Sequence, residues 1–132
     1  MPDDHLLITD GATIAYQLSG PPNTVPVGYG HGVLMSRQIV RGLGIFDIDT
    51  IAEGRRLITY DQRGHGASRG RPEPEDYRFE QAANDLLRVL DAARDASFNI
   101  LHVCRSNNML RELADYPGVH AFNWDARDTT NP

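Results

Sequence analysis

Apolar residues fall in short β-branched runs in the first half of the chain and at helical spacing after residue 78. Leu6-Leu7-Ile8-Thr9 and Thr13-Ile14-Ala15-Tyr16-Gln17-Leu18 flank Asp10-Gly11-Ala12. Asp-Gly supplies the positive φ a tight hairpin needs, so the two runs are predicted as an antiparallel pair. Gly20-Pro21-Pro22-Asn23 ends the second run, because proline removes ladder donors and presets a turn. A third strand is predicted over residues 25–29, weakened by Pro26 and Gly28. Residues 37–52 follow as a loose helix diluted by glycines and by Asp47 and Asp49. Residues 56–60 read as a fourth strand, and 69–76, with Pro72 and Pro74, as a surface loop.

From 79 to 93 the pattern is helical. Phe79, Ala82, Ala83, Leu86, Leu87, Leu90 and Ala93 recur at steps of three and four, with Asn84, Asp85, Arg88 and Asp91 opposite. Ile100-Leu101-His102-Val103 is predicted as a fifth strand, and 109–116 as a short helix stopped by Pro117-Gly118. Residues 117–132 lack periodicity and read as an irregular tail. Strands alternating with helices imply βαβ units: an α/β fold, three-layered, with a mostly parallel sheet and the N-terminal hairpin as an antiparallel edge.

Composition narrows the partners. The chain has 132 residues, enough for a single domain, and its 40% hydrophobic and 23% charged residues are those of a globular protein. A net charge of -5 argues against nucleic acid, whose binding rests on clustered cations. Cys104 is the single cysteine, which excludes an intramolecular disulfide and fits a reducing compartment. No apolar stretch approaches the ~20 residues of a membrane span, and the acidic start Met1-Pro2-Asp3-Asp4 does not read as a signal peptide. A cytoplasmic location without membrane contact is expected. The five histidines are scattered, none at ligand spacing with Asp, Glu or Cys, so no metal is expected. Gly28-Tyr29-Gly30-His31-Gly32 lacks both a phosphate-loop lysine and the dinucleotide spacing, so no nucleotide cofactor is expected either.

The most specific segment is Asp61-Gln62-Arg63-Gly64-His65-Gly66-Ala67-Ser68, a glycine-rich turn leaving the apolar run 57–60. It resembles the D-x-R-G-x-G-x-S turn that follows the fourth strand in the α/β-hydrolase family. In that family the turn shapes the site, so Asp61, Arg63, Gly64, Gly66 and Ser68 are assigned site-shaping roles by resemblance. His31-Gly32-Val33 is similar to the family's H-G-x oxyanion element. The resemblance implies that the Val33 N–H and the Asn107 N–H would face developing negative charge, with His31 and Gly32 shaping the loop. His65 reads as a loop-ordering residue.

The family's nucleophile sits on a G-x-S-x-G turn after the fifth strand, and the positional equivalent here is Cys104-Arg105-Ser106-Asn107-Asn108. Ser106 stands at the nucleophile position with both flanking glycines replaced. Two readings of it stand side by side: a nucleophile, or a cap of the following helix. Cys104 as nucleophile lacks an evident neighbouring base, and lone cysteines are more often small buried hydrophobes. A triad also needs a histidine and an orienting carboxylate in the order serine, acid, base. His120, 14 positions after Ser106, is the candidate base, and it precedes Asp125 and Asp128. Asp115 has the right order but falls within the predicted helix.

The resemblance covers about residues 6–93 and thins out by 108. It implies one partial domain, the N-terminal half of an α/β-hydrolase fold. The implied family reaction is hydrolysis of a small ester or related acyl substrate by a serine nucleophile, without cofactor. In this chain it is expected to be incomplete or inactive. A fragment from a shifted reading frame near Ala93 is one account. Another is a non-catalytic module that self-associates through an exposed sheet edge beside the fifth strand. Completion of the site by a second copy or a second polypeptide is the third.

Overall fold

The computed structural model describes residues 4–44, 47–92, 100–103 and 121–124. Strands β1 (His5–Thr9) and β2 (Ala12–Ser19) form the expected hairpin, in register from His5 opposite Tyr16 to Thr9 opposite Ala12. Of the two turn residues only Gly11 takes positive φ, at +73°. β3 (Pro26–Gly30) pairs in parallel with both β4 (Arg56–Tyr60) and β6 (Ile100–Val103). Its weak-looking residues are tolerated for local reasons. Pro26 opens the strand, where no ladder donor is missed. Gly28 lies under α3 (Phe79–Asp91), where an added Cβ would reach van der Waals contact with Leu90 Cδ2 at 4.0 Å.

The expected loose helix over 37–52 is two helices, α1 (Arg37–Leu43) and α2 (Ile48–Ile51). Gly44 ends α1 in the left-handed region (φ +60°), and the Asp47 carboxylate starts α2 by accepting the Thr50 N–H. The predicted loop 69–76 holds a two-residue strand, β5 (Arg69–Gly70), paired with β2, and runs into a 3₁₀ turn (Pro74–Tyr77).

With a further strand β7 (Ala121–Trp124), the sheet order is β1-β2-β4-β3-β6-β7, with β5 paired to β2 off that path. Pairings around β2 are antiparallel and those from β4 through β3 and β6 to β7 are parallel. β7 (Ala121–Trp124) corrects the reading of 117–132 as a wholly irregular tail. It also covers the side of β6 that was expected to lie open, from Ile100 opposite Ala121 to Val103 opposite Trp124. Four residues without clear alternation carry no strand signal by themselves; the neighbouring ladder supplies the order. The predicted helix at 109–116 lies outside the described residues.

Strand alternation divides the core between two faces. On one, Ala12, Ile14, Ile58 and Tyr60 pack with Val89, Leu86 and Leu90 of α3. On the other, Leu57 packs with Ile48 and Ala52 of the α2 segment, with Val27 and Tyr29 alongside. Helices on both faces make the predicted three-layer α/β architecture. Two residues of α3 depart from the expected pattern. Phe79 is exposed rather than core, and Asp85, expected on the outer face, is buried.

Candidate active-site loop and its supports

The Asp61–Ser68 turn packs its polar side chains inward. Asp61, Arg63 and Ser68 are all nearly inaccessible to solvent. Buried polar groups persist only when bonded, and each here is. Asp61 accepts the Arg37 N–H at 2.8 Å, the Arg37 guanidinium at 3.0 Å and the Ala67 N–H at 3.0 Å. Burial pushes its carboxyl up, but the N–H groups of Arg37 and Ala67 and the Arg37 guanidinium outweigh burial and hold it below the usual carboxylate range. Ser68 donates its hydroxyl to the Asp61 carbonyl at 2.6 Å and accepts the Ala15 N–H at 2.8 Å, tying the turn to β2.

Arg63 reaches the other way. Its Nε and one terminal nitrogen bond both Asp85 carboxylate oxygens, at 2.7 and 2.8 Å, and it also donates to the carbonyls of Asp76 (2.7 Å) and Asp10 (3.3 Å). The turn is thus locked to α3 by a buried bidentate ion pair. Gly64 and Gly66 take φ of +72° and +53°. A Cβ on Gly66 would sit 2.5 Å from Asp61 Cγ, and one on Gly64 2.7 Å from the Tyr77 hydroxyl, so glycine is required at both.

Against this turn lies the loop after β3. His31 is buried, and its Nε2 accepts the Gln62 N–H at 3.0 Å. A backbone N–H can only donate, so Nε2 carries the lone pair and Nδ1 carries the proton, given to the Gly32 carbonyl at 2.8 Å. The Gln62 side-chain amide also donates to the His31 carbonyl. With its lone pair engaged, His31 does not serve as a general base. Burial holds its imidazole below the ordinary value, partly offset by the Gly32 carbonyl and Asp61.

Beyond His31 the Met35 N–H bonds the Gly32 carbonyl at 3.2 Å, and Leu34 has φ +64°. This is type II turn geometry, with Val33 at its second position. Val33 is 67% exposed, and its N–H has no partner among the described residues. An N–H on an exposed residue of a loop braced from behind, with no described partner, is suited to an anionic oxygen.

The chain order, the βαβ arrangement and these two loops match one family. A family model described as the alpha/beta hydrolase fold matches residues 29–102, more than half of the chain. The chain belongs to the alpha/beta hydrolase fold family. An aryl esterase candidate from Burkholderia cenocepacia is similar to this hydrolase-family chain at 27% identity and a TM-score of 0.70. The match covers 92% of this chain and 46% of that protein. An alpha/beta hydrolase from Sphaerobacter thermophilus is 28% identical, with a TM-score of 0.62, 91% of this chain and 44% of its own covered. A proline iminopeptidase-related protein from Thermus thermophilus shares the fold at a TM-score of 0.72 and 19% identity, over 94% of this chain and 44% of its own. No curated protein matches the chain. The chain spans less than half the length of these solved neighbours.

The structure thus brings His31, Gly32, Val33, Asp61, Arg63, Gly64, Gly66 and Ser68 into one region. Cys104, Ser106, Asn107 and His120 lie outside the described residues. Sequence reasoning missed Asp85, Arg37 and Gln62. The sequence pattern places Asp85 opposite the apolar stripe, yet it lies three residues after Ala82 and four before the buried Val89, a helical spacing that could have put it on the inward face. For Gln62 no sequence signal existed, since its role depends on the fold bringing residues 31 positions apart together. Among the described residues no group of three or more His, Cys, Asp or Glu is placed to hold a metal. No helix among them is long and apolar enough to cross a membrane.

Proposed function

We propose that residues 1–132 supply the oxyanion-loop half of a hydrolase acting on a small ester or related acyl substrate through a serine nucleophile. The Val33 N–H, exposed on its braced turn and without a partner among the described residues, carries this reading. Ser106 takes the nucleophile position, and the Asn107 N–H is the second oxyanion donor. Attack of the Ser106 hydroxyl on the acyl carbon forms an acyl-enzyme ester and breaks the bond to the leaving group, which receives the hydroxyl proton by way of a histidine base. Water then cleaves that ester and returns the proton to Ser106, while the two N–H groups stabilise the charge on the acyl oxygen in both steps. These residues alone do not complete the reaction. They offer His120 as the one histidine after Ser106, and it precedes Asp125 and Asp128. The lone cysteine supports a reducing, cytoplasmic location.

Treatment with a fluorophosphonate followed by intact-mass measurement tests this. Folded 1–132 is expected to stay unmodified. A fusion to the remainder of the Burkholderia protein is expected to gain one adduct, lost in Ser106→Ala. An adduct on 1–132 alone would overturn the incomplete-site reading, and an adduct persisting in Ser106→Ala would overturn the role of Ser106.

A second reading, a module that pairs with another copy of itself, draws support from the opposite sheet edge. β1 ends the sheet order and leaves Leu6 and Ile8 66% and 78% exposed. A monodisperse monomer by light scattering at about 100 μM would eliminate it.

A further inference from the structure

Two imidazoles meet where the loop after β3 touches the turn after β4, and neither takes part in the chemistry proposed above. The His31 and His65 rings lie 5.4 Å apart, with planes at 52°. Their bonding is the same. His31 gives its Nδ1 proton to the Gly32 carbonyl and accepts the Gln62 N–H at Nε2. His65 gives its Nδ1 proton to the Arg63 carbonyl at 2.9 Å and accepts the Leu34 N–H at Nε2 at 3.4 Å. Both acceptors face backbone N–H groups, so both rings are neutral and of the same tautomer. The Leu34 N–H belongs to the peptide next to the Val33 N–H, which bonds no described residue. Leu34 holds a positive φ that a bulky residue adopts only when its surroundings fix it.

We propose that His31 and His65 are positioning residues that hold the Val33–Leu34 segment in place while neutral and release it when protonated. The inference rests on Val33 being an oxyanion donor. A proton on His65 Nε2 turns the acceptor for the Leu34 N–H into a second donor facing it, and a proton on His31 Nε2 does the same to the Gln62 N–H. The charged groups facing the pair are Asp61 at the end of β4, 3.6 Å from His31 Nε2, and the Arg37 guanidinium of α1. Asp61 favours a charged His31; Arg37 and a charged His65 oppose it. Because Asp61 is already engaged by Arg37 and Ala67, the turn beneath survives while the loop above it loosens.

The test uses the ¹⁵N-labelled 1–132 chain from about pH 8 to about pH 5, following ring ¹⁵N shifts and amide hydrogen exchange. At the upper pH both rings should show a protonated Nδ1 and a bare Nε2. Leu34 protection, corrected for intrinsic exchange, should fall about tenfold or more in step with the His65 ring titration. The Ala67 amide should keep its protection. His65→Gln, whose side-chain oxygen does not titrate, should preserve Leu34 protection at the upper end and lose less of it than wild type at the lower end, where only His31 still takes up a proton, and His65→Phe should lose it at both. Leu34 protection that ignores the ring titration, or that is equal in wild type and His65→Phe at the upper pH, overturns the proposal. The wild-type titration decides even if a variant misfolds. No readout depends on hydrolysis, so a working mount in a fusion that forms no phosphonate adduct sinks the functional reading alone.

Discussion

Asp85→Ala should be the most costly single truncation on the α3 side of the Asp61–Ser68 turn. The Arg63 and Asp85 side chains are 3% and 2% exposed and share two bonds of 2.7 and 2.8 Å. Without Asp85 the guanidinium stays buried with the Asp76 and Asp10 carbonyls as its acceptors among the described residues, and with only the Asp76 carboxylate, already engaged by Arg71, acting on its charge. Breaking one side of a buried pair costs about 3–5 kcal/mol, and the two retained carbonyls place this case near the lower end. For a domain of this size that corresponds to a fall in Tm of about 10–15 °C. Two comparisons isolate the cause. Arg63→Met combined with Asp85→Leu removes both charges and should return to within about 1–2 kcal/mol of wild type. Arg41→Ala, at the exposed Arg41–Asp49 pair (48% and 69%), should cost no more than about 0.5 kcal/mol. Urea unfolding followed by circular dichroism gives each value from the midpoint and slope. A loss for Asp85→Ala as small as that for Arg41→Ala would mean that the buried Arg63–Asp85 pair does not hold the turn to α3.

The positive-φ glycines predict a contrast within the same region. Gly66→Ala meets the Asp61 carboxylate and a left-handed backbone, for about 2–4 kcal/mol lost, whereas Gly32→Ala meets no atom within 4 Å and should cost less than about 1 kcal/mol in the same unfolding assay. His31 makes stability depend on pH. Burial lowers its folded pKa, so the unfolded chain takes up the proton first as pH falls. The contribution of neutral His31 is complete above the unfolded value of 6.5 and is lost as pH falls through the folded one. His31→Gln should therefore flatten the dependence of the urea midpoint on pH between about 7 and 5.

Much of this was legible in the residues, and what was not has physical causes. The hairpin and β4 were readable because their apolar runs are dense and bounded by Gly, Pro or Asp, and β6 because Ile100, Leu101 and Val103 form a short apolar run. The turn at 61–68 was readable because glycine at two of its positions is sterically required. The split of 37–52 was half visible: the glycines and Asp47 that diluted the predicted helix are the stop of α1 and the start of α2. β5 and β7 were invisible, being two and four residues long and ordered by strands distant in sequence. Asp85 was misread because an acidic residue on a helix is assigned to solvent unless its partner is known, and the partner is 22 positions away.

The Val33 N–H, on a turn braced by His31 and His65, is proposed as the donor to an anionic oxygen. Val33→Pro tests it directly. Val33 occupies the second position of the Gly32–Met35 turn, where proline is favoured, and its N–H bonds nothing among the described residues, so the substitution removes the donor alone. The measurement is the rate of fluorophosphonate adduct formation at Ser106 in the fusion, beside its thermal midpoint. The account predicts a midpoint within about 2 °C of wild type and a rate lower by about 100-fold or more. Unchanged labelling in a folded Val33→Pro protein would contradict it.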